Sequence, residues 1–391
     1  MSQYQSLKTP CYLYDLDLLA HTLDRAMNAS EPYGYKIHYA IKANNNPAIT
    51  RTIMKKGMGV DCVSGNEITE SLRVGFAASQ IVYAGVGKSD TEIETALRNQ
   101  IFCINCESIE ELEVIDQIAQ KINLSAPVAL RVNPGVKANT HHYITTGLEE
   151  NKFGIHLSQL QQALDFCERS KHIDFMGIHF HIGSQITGLE AFAQLAEKVN
   201  DIWTNYDIDQ YGGKILNLGG GLGIDYLAPD ENPVPDFDSY FKTFHQNLQI
   251  PNHISVHFEL GRSLVGQCGQ LITKVLYTKK GVNKDFVVTD AGMTELMRPS
   301  LYQAVHRIKN LTSQGEAFIY DVVGPVCESS DVFSKNVSLP HTKRGDILSI
   351  SSSGAYGESM TLNYNMRKKA ENYFIENSKI LGNPEILKET Y

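Results

Sequence analysis

The sequence has no long apolar run and no excess of basic charge. Without a stretch of about 18 consecutive apolar residues, the chain is not expected to cross a membrane. Acidic residues number 44 against 35 lysines and arginines, and the formal net charge is −9. Nucleic-acid-binding proteins usually present a basic surface, so this balance argues against nucleic acid as a partner.

An export signal and a disulfide pattern are lacking as well. The N-terminus, MSQYQSLKTP, does not combine a basic start with an apolar run, as secretory signals do. Seven cysteines is an odd number, and they are scattered along the chain. These features predict a cytoplasmic protein with free thiols. The pair Cys103 and Cys106 is a weak candidate for a zinc or redox site, because there is no second cysteine pair.

A chain of 391 residues usually exceeds the size of one core, so two domains are expected. From about residue 35 onward, short runs rich in β-branched and aromatic residues alternate with stretches of helical period. The predicted strands are Ile37–Ile41, Met58–Cys62, Ile81–Ala84, Ile101–Ile104, Val128–Val132, Phe175–His179, Ile215–Leu218 and Ser255–Glu259. Predicted helices include Asn66–Val74, Thr91–Asn99, Ile109–Lys121 and Leu157–Ser170. This alternation predicts an α/β fold, a (β/α)8 TIM-type barrel, with an open doubly wound sheet as the alternative.

The pattern changes after residue 262. Strands are then predicted one after another with few long helical stretches, at Gln270–Tyr277, Asp285–Thr289, Glu316–Val323 and Asp346–Ile350. We therefore predict a barrel over residues 30–262 and a β-rich domain, a barrel or a sandwich, made of residues 1–29 and 263–391. The N-terminal stretch Cys11–Tyr14 is expected to join the sheet of this second domain.

Lys42 is the first candidate for chemistry. It follows the first predicted barrel strand, at the end where barrel enzymes carry their reactive groups. Partial burial would lower its pKa and so favour the formation of a Schiff base. On position alone, a surface lysine that begins a loop is the more common explanation.

Glycines and charged residues follow the last two predicted barrel strands. Gly219, Gly220 and Gly221 would free backbone N–H groups to approach a phosphate, which barrels often bind at this position. Glu259 would keep a pyridine nitrogen protonated, and Arg262 would bind a phosphate or a carboxylate. Taken singly, a turn and a structural ion pair explain these residues equally well.

Two histidines follow the sixth predicted strand. Alternation directs His179 and His181 to one face and Phe180 to the other. No acidic or cysteine ligand lies nearby in the sequence, so a metal site is not predicted. A ring stacked on a planar cofactor, with Ser184 near its phosphate, is the favoured function, and a hydrogen-bonded core histidine is the alternative.

Two polar segments stand out in the β-rich part. Cys327 lies beside Glu328 in a loop framed by glycine and proline, and Tyr356 lies between small residues. A small neighbour on each side suits a close approach to a ligand. Neither segment identifies a reaction, and each could be an ordinary turn.

Ten segments in this order resemble the fold type III, alanine-racemase-like decarboxylases that depend on pyridoxal 5′-phosphate. Within that family they are most similar to the diaminopimelate decarboxylases, over nearly the whole chain. The segments are YAIKANNNP (39–47), DCVSGNE (61–67), RVNPGV (131–136), NKFGI (151–155), HFHIGSQ (179–185), NLGGGLGIDY (217–226), ELGR (259–262), DAGMTELMRPSLYQA (290–304), VVGPVCESSDVF (322–333) and GAYGESMTLNYN (354–365). One departure is Leu260, where the family usually has proline; the functional side chains on either side are retained.

The resemblance implies a role for each candidate. Lys42 would carry the cofactor as a Schiff base, His181 would stack on its ring, and Glu259 would pair with its pyridine nitrogen. The residues implied around the cofactor phosphate are Ser184, Gly219, Gly220, Gly221, Gly261 and Arg262. The residues implied to hold the substrate are Arg262, Arg298, Tyr302, Glu328 and Tyr356, the last also near the cofactor.

The resemblance also implies an obligate homodimer with shared active sites. The loop with Cys327 and Glu328 would reach the site of the neighbouring subunit, where Cys327 would give a proton to the substrate carbanion. The implied reaction is decarboxylation of meso-2,6-diaminopimelate at its D-centre to L-lysine and CO2, the last step of lysine biosynthesis. Glu328 and Arg298 would match the distal ammonium and carboxylate of that substrate.

Three alternatives remain open at this point. One is a related decarboxylase that acts on ornithine, arginine, D-lysine or carboxynorspermidine. Another is a non-catalytic homologue of the antizyme-inhibitor type, which would be expected to lose Lys42 or Cys327. The third is an amino-acid racemase on the same barrel, whose catalytic tyrosine motif is not found.

Overall fold

A computed structural model describes residues 3–136 and 152–382. Asn151, which begins one of the segments quoted above, lies outside the described residues, as do the two ends of the predicted β-rich domain. The described chain begins with strand β1 (Cys11–Asp15) and helix α1 (Leu16–Ser30). Helix α1 starts where Asp15 accepts a hydrogen bond from the Leu18 N–H at 2.8 Å.

Eight parallel strands of the described chain close into a barrel, with the last strand paired to the first. They are β2 (Lys36–Ala40), β3 (Gly59–Cys62), β4 (Ile81–Tyr83), β5 (Cys103–Cys106), β6 (Ala126–Arg131), β7 (Ile173–His179), β8 (Ile215–Asn217) and β9 (Ser255–Leu260). Closure confirms the predicted (β/α)8 barrel and excludes the open doubly wound sheet.

Amphipathic helices surround the barrel and bury their apolar sides against it. They are α2 (Pro47–Lys55), α3 (Gly65–Val74), α4 (Asp90–Arg98), α5 (Ile109–Ile122), α6 (Leu157–Arg169), α7 (Glu190–Asn205) and α8 (Phe237–Asn247), followed by the short α9 (Arg262–Val265). Polar caps begin several of them: Ser64 accepts from the Glu67 N–H at 3.2 Å and Ser108 from the Glu111 N–H at 3.1 Å.

The remaining strands form a nine-stranded mixed sheet with β1. They are β10 (Gly269–Lys280), β11 (Asp285–Thr289), β12 (Ile308–Asn310), β13 (Ala317–Val323), β14 (Val332–Pro340), β15 (Ile347–Ile350), β16 (Glu371–Glu376) and β17 (Lys379–Gly382). Helix α10 (Arg298–Tyr302) lies between β11 and β12. The order is β14-β13-β11-β10-β1-β16-β17, with β15 paired to both β10 and β12. The predicted pairing of Cys11–Tyr14 with this sheet is confirmed.

The two regions interlock through the N-terminal segment. Strand β1 belongs to the sheet, but α1, which directly follows it, lies beside α8 of the barrel, where Arg25 pairs with Asp238 at 2.5 Å. Helix α1 was not among the predicted helices. No helix of the described residues is long and apolar enough to span a membrane.

Candidate active site

Several of the predicted site residues come from the carboxyl ends of the barrel strands. Lys42 lies in the 3₁₀ turn Ile41–Ala43 directly after β2, and Glu259 lies in the neighbouring strand β9. His181 follows β7, and the turn Gly219–Gly221 follows β8. Because the barrel strands are parallel, these ends meet at one face, where barrel enzymes carry out their chemistry. The structure thus brings these residues together.

Lys42 is held by a buried carboxylate that the sequence analysis did not assign. Its Nζ donates to Asp61 Oδ2 at 2.9 Å, where 36% of the lysine side chain and none of the aspartate side chain is exposed. Burial disfavours the ammonium, but Asp61, Tyr356 and Glu259 together raise the pKa of Lys42 above its usual value. The expected lowering of this pKa is therefore wrong, because the ion pair outweighs burial. The signals in the sequence were its position near the carboxyl end of β3 and its place at the start of the segment DCVSGNE.

Glu259 is bound by donors from three other strands. Its Oε1 accepts from Asn105 Nδ2 at 2.9 Å and from Asn217 Nδ2 at 2.7 Å, and its Oε2 lies 3.0 Å from His179 Nε2. Burial favours the neutral acid, yet the interaction with His179 and the charge of Lys42 lower the pKa of Glu259 below its usual value. The site therefore holds an ionised carboxylate. This function of His179, Asn105 and Asn217 was not predicted from the sequence, where the signal was a polar side chain within an otherwise apolar strand.

The glycine turn after β8 has no space for side chains. A Cβ on Gly220 would lie 2.0 Å from the Glu259 carbonyl oxygen, and one on Gly219 would lie 2.9 Å from His181 Nδ1. Gly219 and Gly221 also have φ of +64° and +111°, which favours glycine. The Gly220 N–H donates to His181 Nδ1 at 3.2 Å, and burial lowers the pKa of His181 well below its usual value. His181 is therefore neutral and carries its proton on Nε2.

Arg262 lies between the predicted phosphate residues and two tyrosines. It donates to Ser184 Oγ at 3.1 Å and to the Tyr226 hydroxyl at 2.6 Å, and its guanidinium carbon lies 4.9 Å from the centre of the Tyr356 ring. Its Nε is buried without a hydrogen-bond partner in the described chain. Gly261, which precedes it, is packed so closely that a Cβ would meet the end of β2 at 3.1 Å.

Arg298 and Arg262 both donate a hydrogen bond to the hydroxyl of Tyr226. Arg298 Nη1 donates to the Tyr226 hydroxyl at 2.8 Å and to His306 Nε2 at 2.9 Å. Burial, followed by the charge of Arg298, lowers the pKa of His306 to about 3, so its ring is neutral and accepts this bond. Tyr302 ends the same helix, α10, and is half-buried. Tyr226, which ends the matched segment 217–226, was not assigned from the sequence.

The β-rich region reaches the Lys42 turn through Tyr356. Its backbone N–H donates to the Ala43 carbonyl oxygen at 2.7 Å, and Ser359 Oγ donates to the same oxygen at 3.2 Å. Tyr356 has φ of +56°, in the left-handed region. The aromatic side chain is thereby placed beside Arg262.

Cys327 and Glu328 are exposed on the loop between β13 and β14. The Tyr364 hydroxyl donates to Glu328 Oε1 at 2.8 Å. Within residues 3–136 and 152–382 of one chain, no hydrogen bond or ion pair joins Cys327 or Glu328 to Lys42. These two predicted residues are therefore not brought to the cleft of their own subunit by such contacts.

Known proteins of similar sequence and structure share this arrangement of barrel and sheet. Residues 19–266 match the family model described as pyridoxal-dependent decarboxylase, pyridoxal binding domain. The chain is 49% identical to the diaminopimelate decarboxylase of Bacteroides thetaiotaomicron over 374 residues, covering 95% of this chain and 97% of the relative. It is similar to the structure of the Helicobacter pylori diaminopimelate decarboxylase complexed with L-lysine, with a TM-score of 0.91, 38% identity and coverage of 99% and 98%. The lysine/ornithine decarboxylase of Vibrio vulnificus, complexed with putrescine, shares the fold at a TM-score of 0.83 and 20% identity, covering 97% of each chain.

Proposed function

Because this chain belongs to the diaminopimelate decarboxylases among the pyridoxal-dependent decarboxylases, we propose that it removes CO2 from the D-centre of meso-2,6-diaminopimelate and releases L-lysine. The observation that carries this substrate is the pair of arginines on Tyr226. One cation is needed for the cofactor phosphate, which leaves the buried Arg298 for a carboxylate of the substrate.

The residues of the cleft fit pyridoxal 5′-phosphate. Bound there, the cofactor supplies an electron sink for the electron pair left at Cα when CO2 departs. The Gly219–Gly221 turn has no space for a Cβ, and Arg262 Nε is a buried donor without a partner in the described residues. We assign the phosphate to this turn together with Ser184, Gly261 and Arg262. The ring nitrogen is assigned to Glu259.

Lys42 provides the amine that holds the cofactor aldehyde. As an ammonium it cannot act as a nucleophile, so its proton must first move away. Asp61 Oδ2, at 2.9 Å, is positioned to receive it. Burial and the charge of Glu259 raise the pKa of Asp61, while Lys42 opposes this effect. Asp61 is thus a stronger base than an exposed aspartate. His181, neutral and beside the glycine turn, is assigned to the ring face.

The substrate pocket needs groups for both ends of an amino acid that carries two carboxylates. Arg298 is assigned to the distal carboxylate, with Tyr302 and Tyr356 alongside, and Arg262 contributes on the cofactor side. Glu328 of a neighbouring subunit is assigned to the distal ammonium. A diamine-forming decarboxylase has no distal carboxylate to pair with Arg298, and a buried arginine without such a partner would disfavour its substrate.

A substrate panel tests the assignment. CO2 release should be measured from meso-2,6-diaminopimelate, ornithine, arginine, D-lysine and carboxynorspermidine at equal concentrations with the cofactor-loaded enzyme. We expect the highest kcat/KM for meso-2,6-diaminopimelate, because only it matches both Arg298 and Glu328. A higher kcat/KM for any of the other four compounds would overturn the assignment of substrate, while leaving the assignment of cofactor intact.

The surface around Cys327 supports a homodimer with shared sites. Apolar side chains are exposed nearby: 43% of Leu301, 43% of Tyr364 and 93% of Met366 are accessible in the single chain. Tyr364 is hydrogen-bonded to Glu328, and Ser300, next to Leu301, donates to the Ser330 carbonyl oxygen at 2.6 Å, so both neighbours adjoin the loop. Exposed apolar patches of this kind usually mark an interface. We assign Cys327 to the site across it, as the proton donor at Cα.

Mixing two inactive variants tests the shared site. Lys42→Ala and Cys327→Ala homodimers should each lack activity. After exchange of subunits, half of the dimers are mixed and each has one intact site, so about a quarter of wild-type activity should return. Each variant alone, treated in the same way, is the control. An inactive mixture in which native mass spectrometry detects mixed dimers would show that the sites are not shared.

A further inference from the structure

A second cavity lies at the opposite end of the barrel from Lys42. It has a volume of about 780 Å³ and is lined by the amino ends of β2, β3, β8 and β9, with parts of α1 and the preceding loops. Small-molecule sites usually have volumes of about 300–1,000 Å³. None of the residues assigned above to cofactor or substrate lines it.

Two buried histidines form a hydrogen-bonded pair in its wall. His38 Nε2 lies 2.8 Å from His257 Nδ1, and His38 Nδ1 lies 3.2 Å from the Gln80 carbonyl oxygen. Only 4% of His38 and 6% of His257 is exposed. Gly59 makes room for the pair, since a Cβ there would lie 2.4 Å from His38 Nδ1. Apolar side chains ordinarily fill this layer of a barrel.

The geometry determines which ring nitrogens carry protons. A carbonyl oxygen only accepts, so His38 Nδ1 donates to Gln80. Burial lowers the pKa of His38 and lowers the pKa of His257 to about 3, so both rings are neutral near pH 7. His38 Nε2 then accepts the proton of His257 Nδ1. His257 Nε2 is left with a lone pair, and no hydrogen bond from the described residues reaches it.

The remaining walls combine a flat apolar surface with positive charge. The Phe102 ring lies 5.3 Å from the His257 ring, centre to centre, and the two planes differ by 19°. The exposed Lys36 and Lys214 also line the cavity, whereas Glu31 is the one carboxylate among its lining residues. Lys214 pairs with Asp174 at 2.9 Å, whereas Lys36 has no ion pair within the described chain. A ligand for this cavity should therefore be flat and acidic and should carry a hydrogen-bond donor.

We propose that this cavity binds a small aromatic carboxylic acid that has a hydroxyl or ring N–H group. The donor bonds to His257 Nε2, the ring lies against Phe102, and the carboxylate pairs with Lys36. The contacts use a lone pair, the part of the half-buried Phe102 ring that does not stack on the histidines, and an unpaired cation. The cavity and the Lys42 cleft lie at opposite ends of the barrel, so this ligand does not occupy the place of the substrate.

Calorimetric titration of the cofactor-loaded enzyme with 4-hydroxybenzoate tests the proposal, with 4-methoxybenzoate as the matched compound that cannot donate. We expect 4-hydroxybenzoate to bind at least about five-fold more tightly than 4-methoxybenzoate, because the methyl ether cannot donate a hydrogen bond to His257 Nε2. His257→Phe keeps a flat ring without an acceptor, so it should abolish the difference between the two compounds. Lys36→Gln should weaken both by a similar factor.

Because Lys36 is exposed, Lys36→Gln should fold, and it still tests the proposal if His257→Phe does not fold. Absence of binding by 4-hydroxybenzoate would overturn the proposal. Binding that Lys36→Gln leaves unchanged would also overturn it, because the compound would then occupy another site. Equal affinity of the unmodified enzyme for the two compounds would contradict the proposed hydrogen bond to His257 Nε2 and overturn the proposal.

Discussion

Removing the imidazole of His179 should impair the active site without altering the residues assigned to the substrate. His179 Nε2 lies 3.0 Å from Glu259 Oε2, and both side chains are buried. Among the interactions that lower the pKa of Glu259, the one with His179 is the largest. His179→Leu replaces the imidazole with a side chain of similar size that has no hydrogen-bond donor. His179→Gln is the matched control, because its amide retains a nitrogen donor at a similar reach.

The expected effect follows from the strength of this hydrogen bond. A hydrogen bond to a charged group contributes about 1.5–3 kcal/mol, and one pKa unit corresponds to about 1.4 kcal/mol. His179→Leu should therefore raise the pKa of Glu259 by about one to two units. An acid with a lowered pKa is ionised at neutral pH and loses its charge as the pH falls. Without His179, Glu259 begins to lose its negative charge at a higher pH, and its burial raises its pKa further.

Rates measured as a function of pH can detect this change. We expect the acid limb of the kcat profile of His179→Leu to move upward by about one to two pH units, so that kcat at a given pH on that limb falls about 10- to 100-fold, with KM little changed. His179→Gln should recover most of the rate. A purely structural effect would lower the melting temperature without moving the acid limb. An unchanged kcat and acid limb in a folded His179→Leu enzyme would refute the reasoning.

Three further substitutions have defined outcomes. Gly220→Ala should weaken cofactor binding at least about 10-fold in an equilibrium titration, because its Cβ would lie 2.0 Å from a backbone oxygen; Gly87→Ala, with nothing within 4 Å, should have no effect. Arg298→Lys should raise KM at least about 10-fold and change kcat less, because an ammonium cannot reproduce the planar fork of donors. The control Arg307→Lys, at the surface, should leave KM unchanged. A KM of Arg298→Lys equal to that of the unmodified enzyme would contradict the assignment. Lys42→Ala should lose the absorbance band of lysine-bound cofactor together with turnover, and retention of both would exclude Lys42 as the attachment point.

Most barrel strands could be predicted because strands buried on both faces appear as nearly continuous apolar runs. The predicted strand Ile215–Leu218 and the observed β8 differ by one residue. Helix α1 and strands β12, β14, β16 and β17 were not predicted. In β16, Glu371–Glu376, the residues are mostly half-buried and follow no clear alternation. Its position is determined by pairing with β1, which the local sequence does not encode.

The sequence allowed the site to be located but not its electrostatics to be worked out. Lys42, Glu259 and the glycine turn could be found because each directly follows or ends a predicted strand. The pKa of Lys42 could not be predicted, because Asp61 reaches Lys42 only after β2 pairs with β3. The contact of His179 with Glu259 likewise depends on closure of the barrel. Interactions between strands decide the charges that the chemistry requires.

The position of β1 has a consequence for synthesis of the chain on the ribosome. Cys11 pairs with Ile272 on one side and with Glu371 on the other, about 260 and 360 residues further along. At the usual rates of translation, β1 waits on the order of tens of seconds for these partners. During that interval its two hydrogen-bonding edges are open to other strands, a recognised risk for aggregation. A nascent chain that stops before β16 would keep one edge of β1 open permanently, so synthesis of the chain through β16 protects β1.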